Sequence, residues 1–204
     1  MNYLAHIFLS GEDPDLLAGN FMGDFIKGSD YNNYPKGIAN GMVFHRFIDS
    51  FTDQHAESAL LREKLRPTCG RYAGIALDMI YDYYLAEGWS DYSKLKLDDF
   101  ANDTYLCLEN YYEIMPADCQ FLYAEMRKTN WLVAYKSAEG MSKAMNGLNR
   151  RLGGESGLPA TIPLLESPQL ALREGFKRFF PELEKACLEK ITSFARVDKD
   201  EKQI

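Results

Sequence analysis

Histidine is scarce in this chain, and cysteine is both scarce and scattered. The 204 residues contain 3 His and 4 Cys. Cys69, Cys107, Cys119 and Cys187 form no CxxC pair and no zinc-ribbon spacing, which excludes a thiolate metal centre and argues against a disulfide framework. They are predicted to be reduced, buried side chains. No run of about 18 apolar residues occurs, so no membrane span is expected. The opening MNYLAHIFLSGEDPD lacks a basic n-region and a cleavage site, which predicts a cytoplasmic rather than an exported protein. Internal repeats and sustained strand alternation are also missing. Positive charge is in the minority: 23 Lys and Arg stand against 30 Asp and Glu, a net charge of −7. That balance disfavours nonspecific nucleic-acid binding, which depends on cationic neutralisation of phosphates. The basic residues gather at 62–71, at Arg150 and Arg151, and at 173–178, where a solvated helix face is the ordinary reading.

What the chain does have is helical signal throughout. Asp13 followed by Pro14 is an N-cap with proline at the first helical position, opening a helix that reaches about residue 25 or 27. A loop over 28–35 precedes a long helix over about 35–55. A shorter one over 57–65 is expected to stop before Pro67, and a buried one runs over 70–86 to Gly88. Asp98 is the expected cap of a helix ending near 114, Pro116 opens another, and shorter helices follow near 131–136 and 139–151. Gly153, Gly154, Gly157, Pro159 and Pro163 mark an irregular connection. A last helix from about 167 is predicted to kink or break at Pro181, and 197–204 reads as a polar, frayed tail. The fold class is all-α, a single-domain multi-helix bundle over 1–204.

Two helical pairs concentrate the chemistry. His45 and Asp49 lie in GMVFHRFIDSFTDQH, and Asp78 and Asp82 lie in GIALDMIYDYYL. Positions four apart on a helix are about 40° apart around its axis, so each pair aims its polar groups in nearly one direction. Like charges at that spacing repel, and burying them beside Ile75, Met79 and Leu85 adds a desolvation cost that a cation would offset. A salt-linked His–Asp pair is the plainer account of His45 and Asp49. His6, after an apolar segment, reads by itself as a hydrogen-bonded core histidine. Asp24 follows Gly19 and Gly23, which let a helix or a ligand approach closely. His55 reads equally well as a helix-end residue. Imidazole and carboxylate donors without thiolate suit Mn²⁺, Mg²⁺, Fe²⁺ or Zn²⁺. With a phosphate ester as substrate, such an ion would activate water and neutralise phosphoryl charge, and Arg46 beside His45 is a candidate phosphate contact.

Taken in order, MNYLAHIFLS, LAGNFMGDFIKG, GMVFHRFIDSFTD and IALDMIYDYYLA resemble the acyl carrier protein phosphodiesterase family, and NWLVAY and GMSKAMNGLNRRL extend the likeness. The resemblance implies an all-helical fold related to the HD-domain metal-dependent phosphohydrolases. It implies hydrolysis of the phosphodiester between 4′-phosphopantetheine and a serine of holo-acyl carrier protein, with Mn²⁺ as activator and metal-bound hydroxide attacking phosphorus. Carried over by motif, Asp24, His45, Asp49 and Asp78 are metal-site candidates. His6 and Asp82 are further ligands or orienting residues, Arg46 is a phosphate contact, and Asp49, Asp53 or Asp82 could steer protons. No adjacent His–Asp dipeptide occurs in the chain, so the ligand set differs from the usual HD order. The partner is an acidic protein, to be met by a basic patch drawn from Arg62, Lys64, Arg66, Arg71, Arg150 and Arg151. Two other readings remain: a phosphohydrolase acting on a nucleotide or another small ester, and a non-catalytic helical module binding an acidic protein.

Overall fold

A computed structural model describes the backbone of residues 1–201 and the side chains of residues 1–194. Ten α-helices, and no strand, occur among the described residues. They are α1 (Tyr3–Leu9), α2 (Pro14–Met22), α3 (Lys36–Gln54), α4 (Ala56–Cys69), α5 (Ala73–Glu87), α6 (Leu97–Glu109), α7 (Ala117–Thr129), α8 (Trp131–Ala134), α9 (Ala138–Arg151) and α10 (Leu172–Glu201). Short 3-10 turns join several of them, among them Gly23–Phe25, Gly70–Tyr72 and Leu158–Leu164. The fold class is therefore all-α. No helix among the described residues is long and apolar enough to cross a membrane.

Several starts follow local chemistry. The Asp13 side chain accepts from the amides of Asp15 and Leu16, with Pro14 at the first helical position. Ser137 caps α9 through the Gly140 amide, and His55 caps α4 through the Glu57 amide. Other expectations fail. The start of α6 is at Leu97, with no side-chain cap from Asp98. Neither proline ends its helix: α4 runs through Pro67 to Cys69, and α10 is continuous through Pro181. An interior proline costs about 3 kcal/mol. Around Pro181 the fully buried Phe179, Phe180 and Leu183 supply apolar burial of comparable size. The polar tail expected over 197–204 lies outside the residues whose side chains are described, although helical backbone reaches Glu201.

Close packing of α2 against α3 sets the site. A Cβ on Gly19 would lie 2.8 Å from the Gly41 Cα and would collide with the Ile38 carbonyl. The two glycines therefore bring the helix backbones into direct contact, as the G-rich LAGNFMG segment suggested. Around this pair α5 packs on α1 and α4, and α10 lies across α3, α4 and α5. Aromatic rings fill that junction: Tyr81 stacks on Phe179 with centroids 4.9 Å apart, and Phe176 stacks on Phe180 at 5.0 Å. One apolar core, with members from every helix, continues through α6 to α9.

Candidate metal and phosphate site

Asn20, on α2, is the organising residue. Its side-chain Nδ2 donates to the His6 carbonyl at 2.7 Å and to Ser10 Oγ at 2.8 Å. Its Oδ1 is thereby left to accept, and it meets His6 Nδ1 at 2.8 Å. The Asn20 backbone carbonyl, 2.8 Å from His45 Nδ1, can only accept as well. Both imidazoles are thus protonated at Nδ1 and turn Nε2 the other way. The rings stack 4.1 Å apart at 21°. Gly23 makes room for this, since a Cβ there would overlap the His45 ring.

The two Nε2 atoms face carboxylates. His6 Nε2 lies 3.1 Å from Asp49 Oδ1, and His45 Nε2 lies 3.2 Å from Asp49 Oδ2 and 3.2 Å from Asp24 Oδ1. The hydrogen bond to His45 holds the Asp24 carboxyl below its usual range against the opposing effect of burial. Burial opposes charge on His45, but the hydrogen bonds to Asp24 and Asp49 prevail and raise it to about 9. His6 moves the other way: burial first, and then the neighbouring His45, lower its basicity. Asp49 is held below the carboxylate range because its hydrogen bonds to His45 and His6 outweigh burial. With Nδ1 committed to Asn20, the 3.1 Å contact between His6 Nε2 and Asp49 Oδ1 is satisfied by a second proton on the imidazole or by a cation between the two groups. Ligand atoms of His6, His45 and Asp49 all lie within 4.8 Å of one another, so the three residues could hold a metal ion.

These groups open onto a cavity of about 390 Å³. Asp24, His45, Asp49, Asp53 and Asp78 form its polar lining, and Ile75, Met79 and Leu148 form an apolar one, with Met1 and Asn2 beside them. The Met1 α-amino group donates to Asp78 at 2.9 Å and lies 3.8 Å from Asp49. Burial disfavours that ammonium, but Asp78 and Asp49 outweigh it and raise its pKa. Asp53 is held by Arg62 at 3.1 Å.

The tertiary structure thus brings together the predicted Asp24, His45, Asp49 and Asp78 around one cavity, with His6 stacked behind His45. Two of the predicted residues lie off the cavity lining. Asp82 is fully buried and does not line the cavity. Its Oδ2 accepts from the Leu4 amide at 2.7 Å, and its Oδ1 accepts from Ala5 and Asn2 at 3.2 and 3.3 Å. It therefore satisfies the otherwise orphaned amides at the start of α1, which carries His6. Burial pushes its carboxyl up to about 7, against the opposing ammonium and amides. Arg46 does not line the cavity either. Its guanidinium donates to the carbonyls of Gly28 at 2.6 Å and Ile26 at 2.9 Å and lies over the Tyr31 ring. It braces the segment that follows Asp24.

Sequence reasoning missed Asn20, Tyr3 and the α-amino group. Asn20 had a signal, as an amide within the apolar LLAGNFM. Tyr3 lies beside Asp24, where burial and then the Asp24 charge raise the phenol above its ordinary value. Nothing in the sequence pattern links Met1 to Asp78.

Comparison with known proteins agrees with the motif order. The family described as acyl carrier protein phosphodiesterase matches residues 1–183. A protein named acyl carrier protein phosphodiesterase from Klebsiella pneumoniae subsp. pneumoniae is 31% identical over 90% of this chain and 95% of its own length. Proteins of the same name from Enterobacter sp. (strain 638) and Escherichia coli O157:H7 are 28% and 29% identical, with the same two coverages. No solved structure matches the chain. The match over nearly the whole helical domain, with its motifs gathered around one cavity, makes this chain a member of the acyl carrier protein phosphodiesterase family.

Proposed function

We propose that this protein hydrolyses the phosphodiester linking 4′-phosphopantetheine to a serine of holo-acyl carrier protein, with help from a divalent cation. The substrate rests on family membership and on the names of the relatives. The observation that carries the cation is the convergence of ligand atoms from His6, His45 and Asp49 within 4.8 Å of one another. His6, His45 and Asp49 are the residues to hold it, with Asp24 and Asp78 completing the donor set. Nitrogen and oxygen donors without sulfur admit Mn²⁺, Mg²⁺, Fe²⁺ or Zn²⁺, and the family resemblance selects Mn²⁺ among them. When bound, such an ion supplies Lewis acidity and lowers the pKa of water.

The chain's own residues account for the rest. A cavity lined by four aspartates repels a phosphodiester anion unless positive charge is added, so the same carboxylates that raise His45 make binding conditional on a cation. Asn20 fixes both imidazoles before substrate arrives, which removes their reorientation from the barrier. Asp53 remains to orient the attacking water and take its proton. In the reaction the water oxygen bonds to phosphorus and the bond from phosphorus to the serine oxygen breaks. One water proton ends on that serine oxygen. The products are apo-carrier and free 4′-phosphopantetheine. We place the reaction in the cytoplasm, with neither a membrane nor a nucleic acid as partner.

Mass spectrometry of holo-acyl carrier protein incubated with the purified protein tests this directly. With Mn²⁺ the phosphopantetheine mass is expected to be lost, and with chelator it is expected to stay. A holo mass unchanged by protein that has demonstrably bound Mn²⁺ would remove the carrier from consideration as substrate.

A further inference from the structure

Most of the described arginines are already engaged. Among the described residues Arg62 pairs with Asp53, Arg66 with Glu63, Arg127 with Glu109, Arg173 with Glu87 and Glu166, and Arg178 with Glu57. Arg46 is held by backbone carbonyls, and Lys64 donates to the Leu170 carbonyl. Three arginines have no carboxylate partner among the described residues: Arg71, Arg150 and Arg151. All three are exposed.

Their positions coincide. Arg151 lies one turn beyond Leu148, which lines the catalytic cavity, and it is close enough to Tyr3 to act on its phenol. Arg71 lies four residues before Ile75, the exposed apolar residue on the same cavity. Arg71 and Tyr72 share a second cleft, of about 520 Å³, with Leu152 and Gly153 at the end of α9. Leu148 and Ile75 thus bring the end of α9 and the 70–75 segment to the cavity, and the second cleft joins Arg71 to the residues that follow Arg151. Cations in the last turn of a helix are favoured by its carbonyl end. That accounts in part for Arg150 and Arg151, but not for Arg71, which belongs to another element. The Arg71 guanidinium instead lies over the Tyr72 ring and donates to its hydroxyl at 2.7 Å. Glu155, also lining the cleft, is the acidic group nearest this patch in sequence.

We infer that Arg71, Arg150 and Arg151 are the docking surface for the protein that presents the phosphodiester, a partner whose surface around the scissile serine is rich in carboxylates. The inference rests on the proposed carrier-protein substrate and specifies where that carrier sits. A chain of net charge −7 repels an acidic partner overall, so productive encounter needs a local cationic patch next to the cavity mouth. Guanidinium groups suit this, because they grip carboxylates bidentately. The apolar wall of Ile75 and Leu148 then lies between the docked surface and the aspartates, in line for the less polar part of the tethered arm.

The test is steady-state release of phosphopantetheine from holo-acyl carrier protein by the Arg150→Gln/Arg151→Gln double variant, by Arg71→Gln and by an Arg66→Gln control, at 50 and 300 mM NaCl. The double variant is expected to raise KM about tenfold with kcat within about twofold, and to flatten the salt dependence of kcat/KM. Arg71→Gln is expected to shift KM in the same direction by less, and the control not at all. Wild-type KM and salt dependence in both docking variants would overturn the inference. So would an equal shift in the control, which would make the effect one of net charge. If the wild-type protein itself releases no phosphopantetheine, the proposed function fails and takes the docking site with it.

Discussion

At the scale of single residues, the site depends on hydrogen bonds that choose tautomers. Asn20 contributes its amide oxygen to His6 and its backbone oxygen to His45, so one residue aims two imidazole nitrogens at the carboxylates. Only the side-chain half of that arrangement can be removed by mutation. Asn20→Ala is expected to cost about 1–3 kcal/mol of stability, from buried partners left unsatisfied. It is also expected to weaken Mn²⁺ binding by about 10–100-fold, the usual effect of losing a residue that orients a ligand. Urea unfolding and calorimetric titration measure the two effects separately, and unchanged Mn²⁺ affinity would show that His6 is held by something else. His45 and Asp49 were legible from their spacing. Asn20 was less so, because an amide in an apolar helix has many ordinary uses and only its partners reveal which one applies.

At the scale of elements, helix starts and helix contacts decide which polar residues face the cavity. Asp78 and Asp82 lie one turn apart on α5, yet one lines the cavity and the other is fully buried beneath the start of α1. The sequence shows the pair and its shared direction. It does not show that α1, a seven-residue helix absent from the pattern analysis, begins with its amides against Asp82. Asp82→Ala is expected to lower stability by about 3 kcal/mol or more, because at least two buried amides lose their acceptor at about 1–3 kcal/mol each. The urea midpoint of the variant checks this, and a midpoint equal to wild type would assign the start of α1 to its apolar packing. The same logic applies to Arg46, whose position beside His45 in sequence puts it on a different helix face, bonded to the 26–28 backbone. Adjacent residues on a helix point about 100° apart, so neighbourhood in sequence argues against a shared site there.

At the scale of the whole molecule, the proposed cation would tie together elements far apart in sequence. His6 comes from α1, Asp24 from the turn after α2, His45 and Asp49 from α3, and Asp78 from α5. A ligand that binds only the folded arrangement stabilises it by mass action, by about 2.7 kcal/mol at one hundred times its Kd. For a chain of this length that corresponds to a rise in Tm of roughly 5–10 °C. Differential scanning calorimetry with Mn²⁺ and with chelator is expected to show it, with no enzymatic activity required. A Tm indifferent to Mn²⁺ up to millimolar concentration would show that the contact between His6 and Asp49 is met by protonation instead.

By itself the sequence determined the helical class, most of the helices, the pairing of His45 with Asp49 and the order of motifs that marks the family. These follow from local rules: the 3.6-residue period, capping residues, and side-chain types at fixed spacing. Tertiary structure alone decided which carboxylates reach the cavity, which arginines are already paired, and that an asparagine between two glycines orients both histidines. Those outcomes depend on contacts between residues tens of positions apart, such as Asp82 with Leu4 or Asn20 with His45. No local period encodes such contacts, because they exist only once α2 and α3 have closed together at Gly19 and Gly41.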